Sequence, residues 1–182
     1  MEKNLPVAAG LGGGSADAGA VFRIVEALQG LPDDWRTRAA SLGADVPACV
    51  ESRMAIGRGT GTELSSVVND LEGTPVLLVN PRLPLSTGPV FAGWDGEDRG
   101  PLPDGPASRI AADGRNDLEA SAIALVPGIA DVLAALREGS MLARMSGSGA
   151  TCFALYASEC DRDAAAAALP CEWWRMAGKL RP

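Results

Sequence analysis

Four glycines in five positions, Gly10-Leu11-Gly12-Gly13-Gly14, followed at once by Ser15, constrain this chain more than any other stretch. A segment with so few side chains builds no core of its own. It turns, and its backbone is its surface. Glycine permits positive φ and lets another group approach the main chain closely. The next stretch is amphipathic. Ala18, Val21, Phe22, Val25 and Leu28 recur at helical spacing, which predicts a helix over 15–28 capped by Ser15. A bare turn that opens a helix gathers amide N–H groups and the positive end of the helix dipole at one point, a combination suited to polyphosphate. It is not a Walker A, because no Gly-Lys-Ser/Thr follows, and the dinucleotide fingerprint fits only loosely. Asp17 favours the dipole but repels phosphate unless a cation or distance intervenes. The plainer alternative is a glycine-rich turn that only lets a helix pack closely.

A second glycine loop, Ser146-Gly147-Ser148-Gly149, lies between two strand-like runs, 142–145 and 152–157. On spacing alone it is a hairpin turn. Helices are expected at 33–42, 88–94, 117–125, 128–138 and 161–169. In the fourth of these, Ile129, Val132, Leu133 and Leu136 face inward. Strands are expected at 54–57, 75–79 and 172–176, and the Pro/Gly/Asp-rich stretch 95–106 reads as an exposed loop. The order suggests an α+β fold with layered packing. Cys49, Cys152, Cys160 and Cys171 form no CxxC pair and read as buried free thiols in a reducing compartment.

Composition removes several functions. The chain has no His, so His general bases, Ser-His-Asp triads and His metal sites are excluded. Proton chemistry falls to Asp, Glu, Lys, Cys or Tyr. A net charge of −7 argues against a nucleic-acid partner. No apolar run reaches the ~18 residues that span a bilayer, and no signal-peptide pattern opens the chain, so neither a membrane association nor export is expected. The expected location is cytoplasmic. Oligomeric state is not legible.

Five segments, in order, resemble the GHMP kinase superfamily, named for galactokinase, homoserine kinase, mevalonate kinase and phosphomevalonate kinase. They are Lys3-Asn4-Leu5-Pro6 through Ala18; Gly43-Ala44-Asp45-Val46-Pro47; Pro84 through Phe91; Arg115-Asn116-Asp117-Leu118-Glu119; and Ser146 through Phe153. The first and last specify the superfamily. Thr87–Phe91 and Asn116-Asp117 are similar to one branch of it. The resemblance implies a two-domain α+β fold: an N-terminal ribosomal-protein-S5-like domain over 1–73, here incomplete, and a ferredoxin-like C-terminal domain over 74–182. The family opens with an earlier Pro-Ala-Lys-x-Asn-Leu strand carrying a catalytic Lys. Against that pattern this chain is expected to lack its N-terminal portion and to expose a strand edge and apolar surface.

The implied activity is ATP-dependent phosphorylation of a small-molecule alcohol, with Mg²⁺ accompanying ATP and no protein metal ligands assigned. The implied substrate is the 2-hydroxyl of 4-diphosphocytidyl-2-C-methyl-D-erythritol, in non-mevalonate isoprenoid synthesis. A homoserine- or mevalonate-type kinase, or an inactive nucleotide-binding fragment, is the alternative. By resemblance Pro6, Gly10, Leu11, Gly12, Gly13, Gly14 and Ser15 hold the ATP phosphates and Lys3 lies on the adenine side, though Lys3 reads equally as a solvated surface residue. Asp45 is the expected catalytic base; from spacing alone it is equally a turn residue after Gly43. Thr87 and Phe91 belong to the substrate side, with Phe91 stacking on cytosine; their bland readings are a helix N-cap and core packing. Gly147, Ser148 and Gly149 add a backbone wall beside phosphates and substrate. Asn116 reads as a helix cap.

Overall fold

A computed structural model describes residues 5, 6 and 9–181. The chain divides into two compact units. The smaller is Gly12–Asn69, and the larger joins the described residues up to Leu11 to Asp70–Arg181. The division thus sets 70–73 and the entry to the first glycine loop in the larger unit, where the sequence reading groups them with the N-terminal domain.

In the smaller unit, helix α1 spans Gly13–Gln29. It begins two residues before the predicted start. Gly12 occupies the cap in the left-handed region at φ 61°, and the Ala16 N–H closes the first turn on the Gly12 carbonyl at 2.8 Å. Ser15 therefore sits inside the first turn and does not cap it, and Asp17 falls beyond that turn. Helix α2 (Trp35–Leu42) ends at Gly43, and a short helix α3 (Val46–Glu51) follows, with Pro47 in its first turn. Strands β1 (Ala55–Arg58) and β2 (Glu63–Ser66) pair as an antiparallel hairpin.

Ala39, Val46 and Val50 form this unit's buried cluster, with Ala18, Phe22, Leu31 and Trp35 against it. The predicted inward face of α1 is only half right. Val21 and Leu28 are exposed, and so is Ile24. The reason is Gly19, which is buried and directed at α3: a Cβ there would lie 2.6 Å from the Cys49 carbonyl carbon. The closest contact of α1 is thus its glycine side, and the contact is centred on Ala18, Gly19 and Phe22.

In the larger unit, β3 (Pro75–Asn80), β4 (Leu142–Met145), β5 (Cys152–Leu155) and β6 (Trp174–Lys179) form an antiparallel sheet in the order β4-β5-β3-β6. Alternate residues Leu77, Val79, Met145, Cys152 and Ala154 are buried on one face. They join one core with Ile129, Val132, Leu133 and Leu136 of helix α7 (Gly128–Arg137) and with Ala165 and Ala166 of helix α8 (Glu159–Ala168). Each of those four α7 side chains, fully buried, contributes ~1.5–3 kcal/mol. That contact fixes β4, and β4 carries the second glycine loop at its end.

Helices α4 (Thr87–Ala92), α5 (Ala107–Asp113) and α6 (Glu119–Leu125) complete the unit. The last strand starts at Trp174, later than the predicted 172. Pro170–Trp173 forms a turn closed by the Trp173 N–H on the Pro170 carbonyl, and Trp173 packs on the core. The cysteine expectation also needs correction. Cys152 is buried and Cys49 partly so, but Cys160 and Cys171 are exposed. Cys160 lies in the first turn of the surface helix α8, and Cys171 comes directly after Pro170 in that turn.

Candidate active site

The second glycine loop is tied down on several sides within the larger unit. Ser146 Oγ donates to the Gly10 carbonyl at 2.8 Å, and the Thr151 N–H donates to the Ala9 carbonyl at 3.3 Å. Gly10, at φ +70°, has no room for a side chain: a Cβ would lie 2.5 Å from both the Gly149 and the Ser146 carbonyl oxygens. Ala9 and Gly10 are thus set by the second loop. Asn116 Nδ2 donates to the Met145 carbonyl at 2.9 Å and the Gly147 carbonyl at 2.8 Å, while its Oδ1 accepts from the Leu118 N–H. Asn116 does not cap the helix as expected: the N-cap of α6 is Leu118, with no side-chain cap bond, and Asn116 Oδ1 closes a turn just ahead of it, together with an unforeseen grip on the loop. Beneath the loop, buried Asn80 donates through Nδ2 to Thr151 Oγ1 at 2.9 Å.

Of the two residues expected on the substrate side, Thr87 meets this frame. Thr87 Oγ1 lies 3.1 Å from Ser148 Oγ. Thr87 is the first residue of α4, the cap is Ser86, and no side chain caps the helix. Phe91 does not pack in the core. It is 57% exposed, whereas its neighbour Val90 is fully buried and anchors α4.

In the smaller unit the remainder of the first loop is bare backbone. A Cβ on Gly12, Gly13 or Gly14 would meet no atom within 4 Å. The first helical hydrogen bond belongs to Ala16, so the Gly13, Gly14 and Ser15 amides have no intrahelical acceptor. No acidic residue occupies the first turn of α1. These three donors, without an intrahelical acceptor, stand at a dipole's positive end with no carboxylate in the first turn, an arrangement suited to an anion. The Gly43–Asp45 segment lies beside it: a Cβ on Gly43 would be 3.9 Å from Ser15 Oγ. Asp45 is the exposed N-cap residue of α3, and its carboxylate makes no cap bond. Burial, and then the Asp45 charge, push the Cys49 thiol above its ordinary range. Pro6 is half-buried, and Lys3 lies outside the described residues.

Within the larger unit the structure therefore brings together Gly10, Gly147, Ser148, Gly149 and Thr87. Within the smaller it brings Ser15 to the Asp45 segment. The sequence reading missed the donors that organise the second loop, Ser146 Oγ and Asn116 Nδ2. An Asn ahead of a helix signals a cap and gives no sign of a partner 29 or 31 residues away.

A bare glycine turn that opens a helix, the Gly43–Asp45 segment next to it and a second glycine loop on an antiparallel sheet fit the class of small-molecule kinases that the sequence resembles. Family models agree: the GHMP kinases N terminal domain matches residues 1–53, and GHMP kinases C terminal matches 105–175. A 4-diphosphocytidyl-2-C-methyl-D-erythritol kinase of Novosphingobium aromaticivorans is 67% identical over all of this chain and 64% of its own length. One of Erythrobacter litoralis is 61% identical over all of the chain and 69% of its own length. A crystal structure of 4-(cytidine 5'-diphospho)-2C-methyl-D-erythritol kinase superposes with a TM-score of 0.84 at 34% identity, over all of this chain and 69% of the other. The chain belongs to the 4-diphosphocytidyl-2-C-methyl-D-erythritol kinase family of GHMP kinases, and it spans 64% of the length of the Novosphingobium relative. No helix among the described residues is long and apolar enough to cross a membrane.

Proposed function

We propose that the protein to which this chain belongs transfers the γ-phosphoryl group of ATP to the 2-hydroxyl of 4-diphosphocytidyl-2-C-methyl-D-erythritol. The observation that carries the choice of substrate is Phe91. It presents an open aromatic face on the short helix that begins with Thr87. A free ring is a stacking platform for a nucleobase, and stacking is worth ~1–3 kcal/mol per base. Homoserine and mevalonate have no base to use it. The names of the most similar relatives support the same reading.

In this reading the amides of Gly13, Gly14 and Ser15 bind the transferred phosphoryl group and its neighbour. Positioning and charge stabilisation do most of the work. Asp45 accepts a hydrogen bond from the 2-hydroxyl and takes its proton as the oxygen attacks the γ-phosphorus. One O–P bond forms, the bond to the β,γ-bridging oxygen breaks, and ADP leaves. Thr87 and Ser148 hydroxyls orient the polar part of the substrate. Mg²⁺ would arrive with ATP and neutralise phosphate charge, with Ser15 Oγ the neutral ligand that the first turn offers. Among the described residues no cluster of three His, Cys, Asp or Glu stands ready to hold a metal alone.

A chimera tests the reading. This chain replaces the matching region of the Novosphingobium relative, and ADP release is followed with the cytidyl substrate, homoserine and mevalonate, with ATP binding measured alongside. Turnover of the cytidyl substrate alone is expected. Turnover of homoserine or mevalonate instead would overturn it, and ATP binding with no turnover would leave a nucleotide-binding fragment. In the active chimera, Asp45→Asn should cost ~10²–10⁴ in rate and leave ATP affinity nearly unchanged. An unchanged rate would remove Asp45 from the mechanism.

A further inference from the structure

We infer that Asn116 is a positioning residue for the substrate side of the site, acting through Ser148. The inference rests on the function proposed above and deepens it. Asn116 Oδ1 is spent on the Leu118 N–H at 3.0 Å, in a turn just ahead of α6. Both protons of its amide nitrogen go elsewhere, to the carbonyls of Met145 and Gly147. One planar group therefore locks the start of α6 to both ends of the three-residue segment 145–147. The amide has a single workable orientation, because flipping it would set an oxygen against two carbonyl oxygens.

The consequence for Ser148 comes from peptide geometry. In a planar trans peptide the C=O and the next N–H point in opposite directions. With the Gly147 carbonyl held by Asn116, the Ser148 N–H is directed away from Asn116. The Ser148 hydroxyl is 3.1 Å from Thr87 Oγ1. Gly147 sits at φ +52°, a conformation that lets the chain turn between the Asn116 contact and Ser148. Asn116 touches neither nucleotide nor alcohol in this reading. It sets the direction of the donors that do.

Asn116→Asp separates the two roles of this side chain. Asp keeps the oxygen that accepts from the Leu118 N–H and loses both donors to the loop. By hydrogen exchange on the 182-residue chain, the Gly149 and Thr151 amides should exchange at least tenfold faster, with the Ala122 and Val126 amides of the α6 region unchanged. Unaltered loop exchange would refute the inference whether or not the protein is a kinase. In the active chimera, KM for the cytidyl substrate should rise at least tenfold, with kcat changed far less. The loss should be largely absent when Ser148→Ala is already present. An unchanged KM, or losses that simply multiply, would overturn the inference. If Asn116→Asp does not fold, Asn116→Ser, which is uncharged, takes the same measurements. An inert parent chimera would sink the proposed function and leave the exchange measurement to decide on Asn116.

Discussion

Gly10→Ala and Gly14→Ala change the same glycine loop by the same methyl group and should have opposite effects. At Gly10 the methyl enters a left-handed backbone, which costs an L-residue ~1–2 kcal/mol. It also stands 2.5 Å from two carbonyl oxygens where ordinary contact begins at 3.4 Å. The two loops must then part by about an ångström, at the ~1–3 kcal/mol typical of overpacking. Parting them strains the Ser146 Oγ bond to the Gly10 carbonyl, worth ~1 kcal/mol. The sum is about 3 kcal/mol at its lower end, a fall in Tm of roughly 6–12 °C for a chain of this size. At Gly14 the methyl meets no atom within 4 Å and the backbone is helical. Stability should hold or rise by up to about 1 kcal/mol. The methyl would, however, stand on the bare turn, and ATP affinity should fall. Urea unfolding followed by fluorescence of Trp94, Trp173 and Trp174, all in the larger unit, measures the first effect; calorimetric titration with ATP measures the second. A Gly10→Ala protein within about 0.5 kcal/mol of the parent would refute the close contact of the two loops. A Gly14→Ala protein that binds ATP like the parent would refute the anion site.

Tyr156 is buried, and among the described residues its hydroxyl has no hydrogen-bond partner. Removing that group in Tyr156→Phe ends an uncompensated desolvation of ~1–3 kcal/mol, so urea unfolding should show equal or greater stability; a clear loss would mean that the hydroxyl has a partner. Phe91→Ala should leave stability within about 0.5 kcal/mol, because the ring is exposed, yet weaken binding of the cytidyl substrate by ~1–3 kcal/mol. Equal affinity would end the stacking role. Burial, and then the Glu119 charge, push the Cys152 thiol up to about 12. Since thiolate is the reactive form, a maleimide at about pH 7.5 should label the exposed Cys160 and Cys171 promptly and Cys152 only on unfolding. Early labelling at Cys152, read by peptide mass, would contradict that burial.

The sequence was most legible where a pattern is local. The first glycine loop, α7 with its four inward aliphatics, and β4 at 142–145 stand where the spacing puts them. Short elements were harder. Helix α3 carries Pro47, which reads as a breaker, although proline is at home in a first helical turn. Helix α5 has seven residues and comes after a loop-like stretch, too short to establish a period. Polar β2 exists because β1 pairs with it, and its own residues do not announce a strand. For the candidate site, residue types carry the expectations of an anion turn, of Asp45 as base and of Phe91 as a stacking face. The grip of Asn116 and Ser146 on the second loop depends on contacts 29, 31 and 136 residues apart, and such contacts leave no local pattern.

Gly19 against Cys49 and Gly10 against Gly149 are both seams where main chain meets main chain. Main chain is common to every residue type, so such a seam records little of what its neighbours' side chains are. Substitutions at flanking positions should drift freely in descendants of this sequence as long as volume is kept, while the two glycines stay. A deep mutational scan would then show two narrow notches of intolerance in otherwise permissive stretches. The one at Gly19 would mark the contact of α1 with α3, and the one at Gly10 the point where the two glycine loops touch.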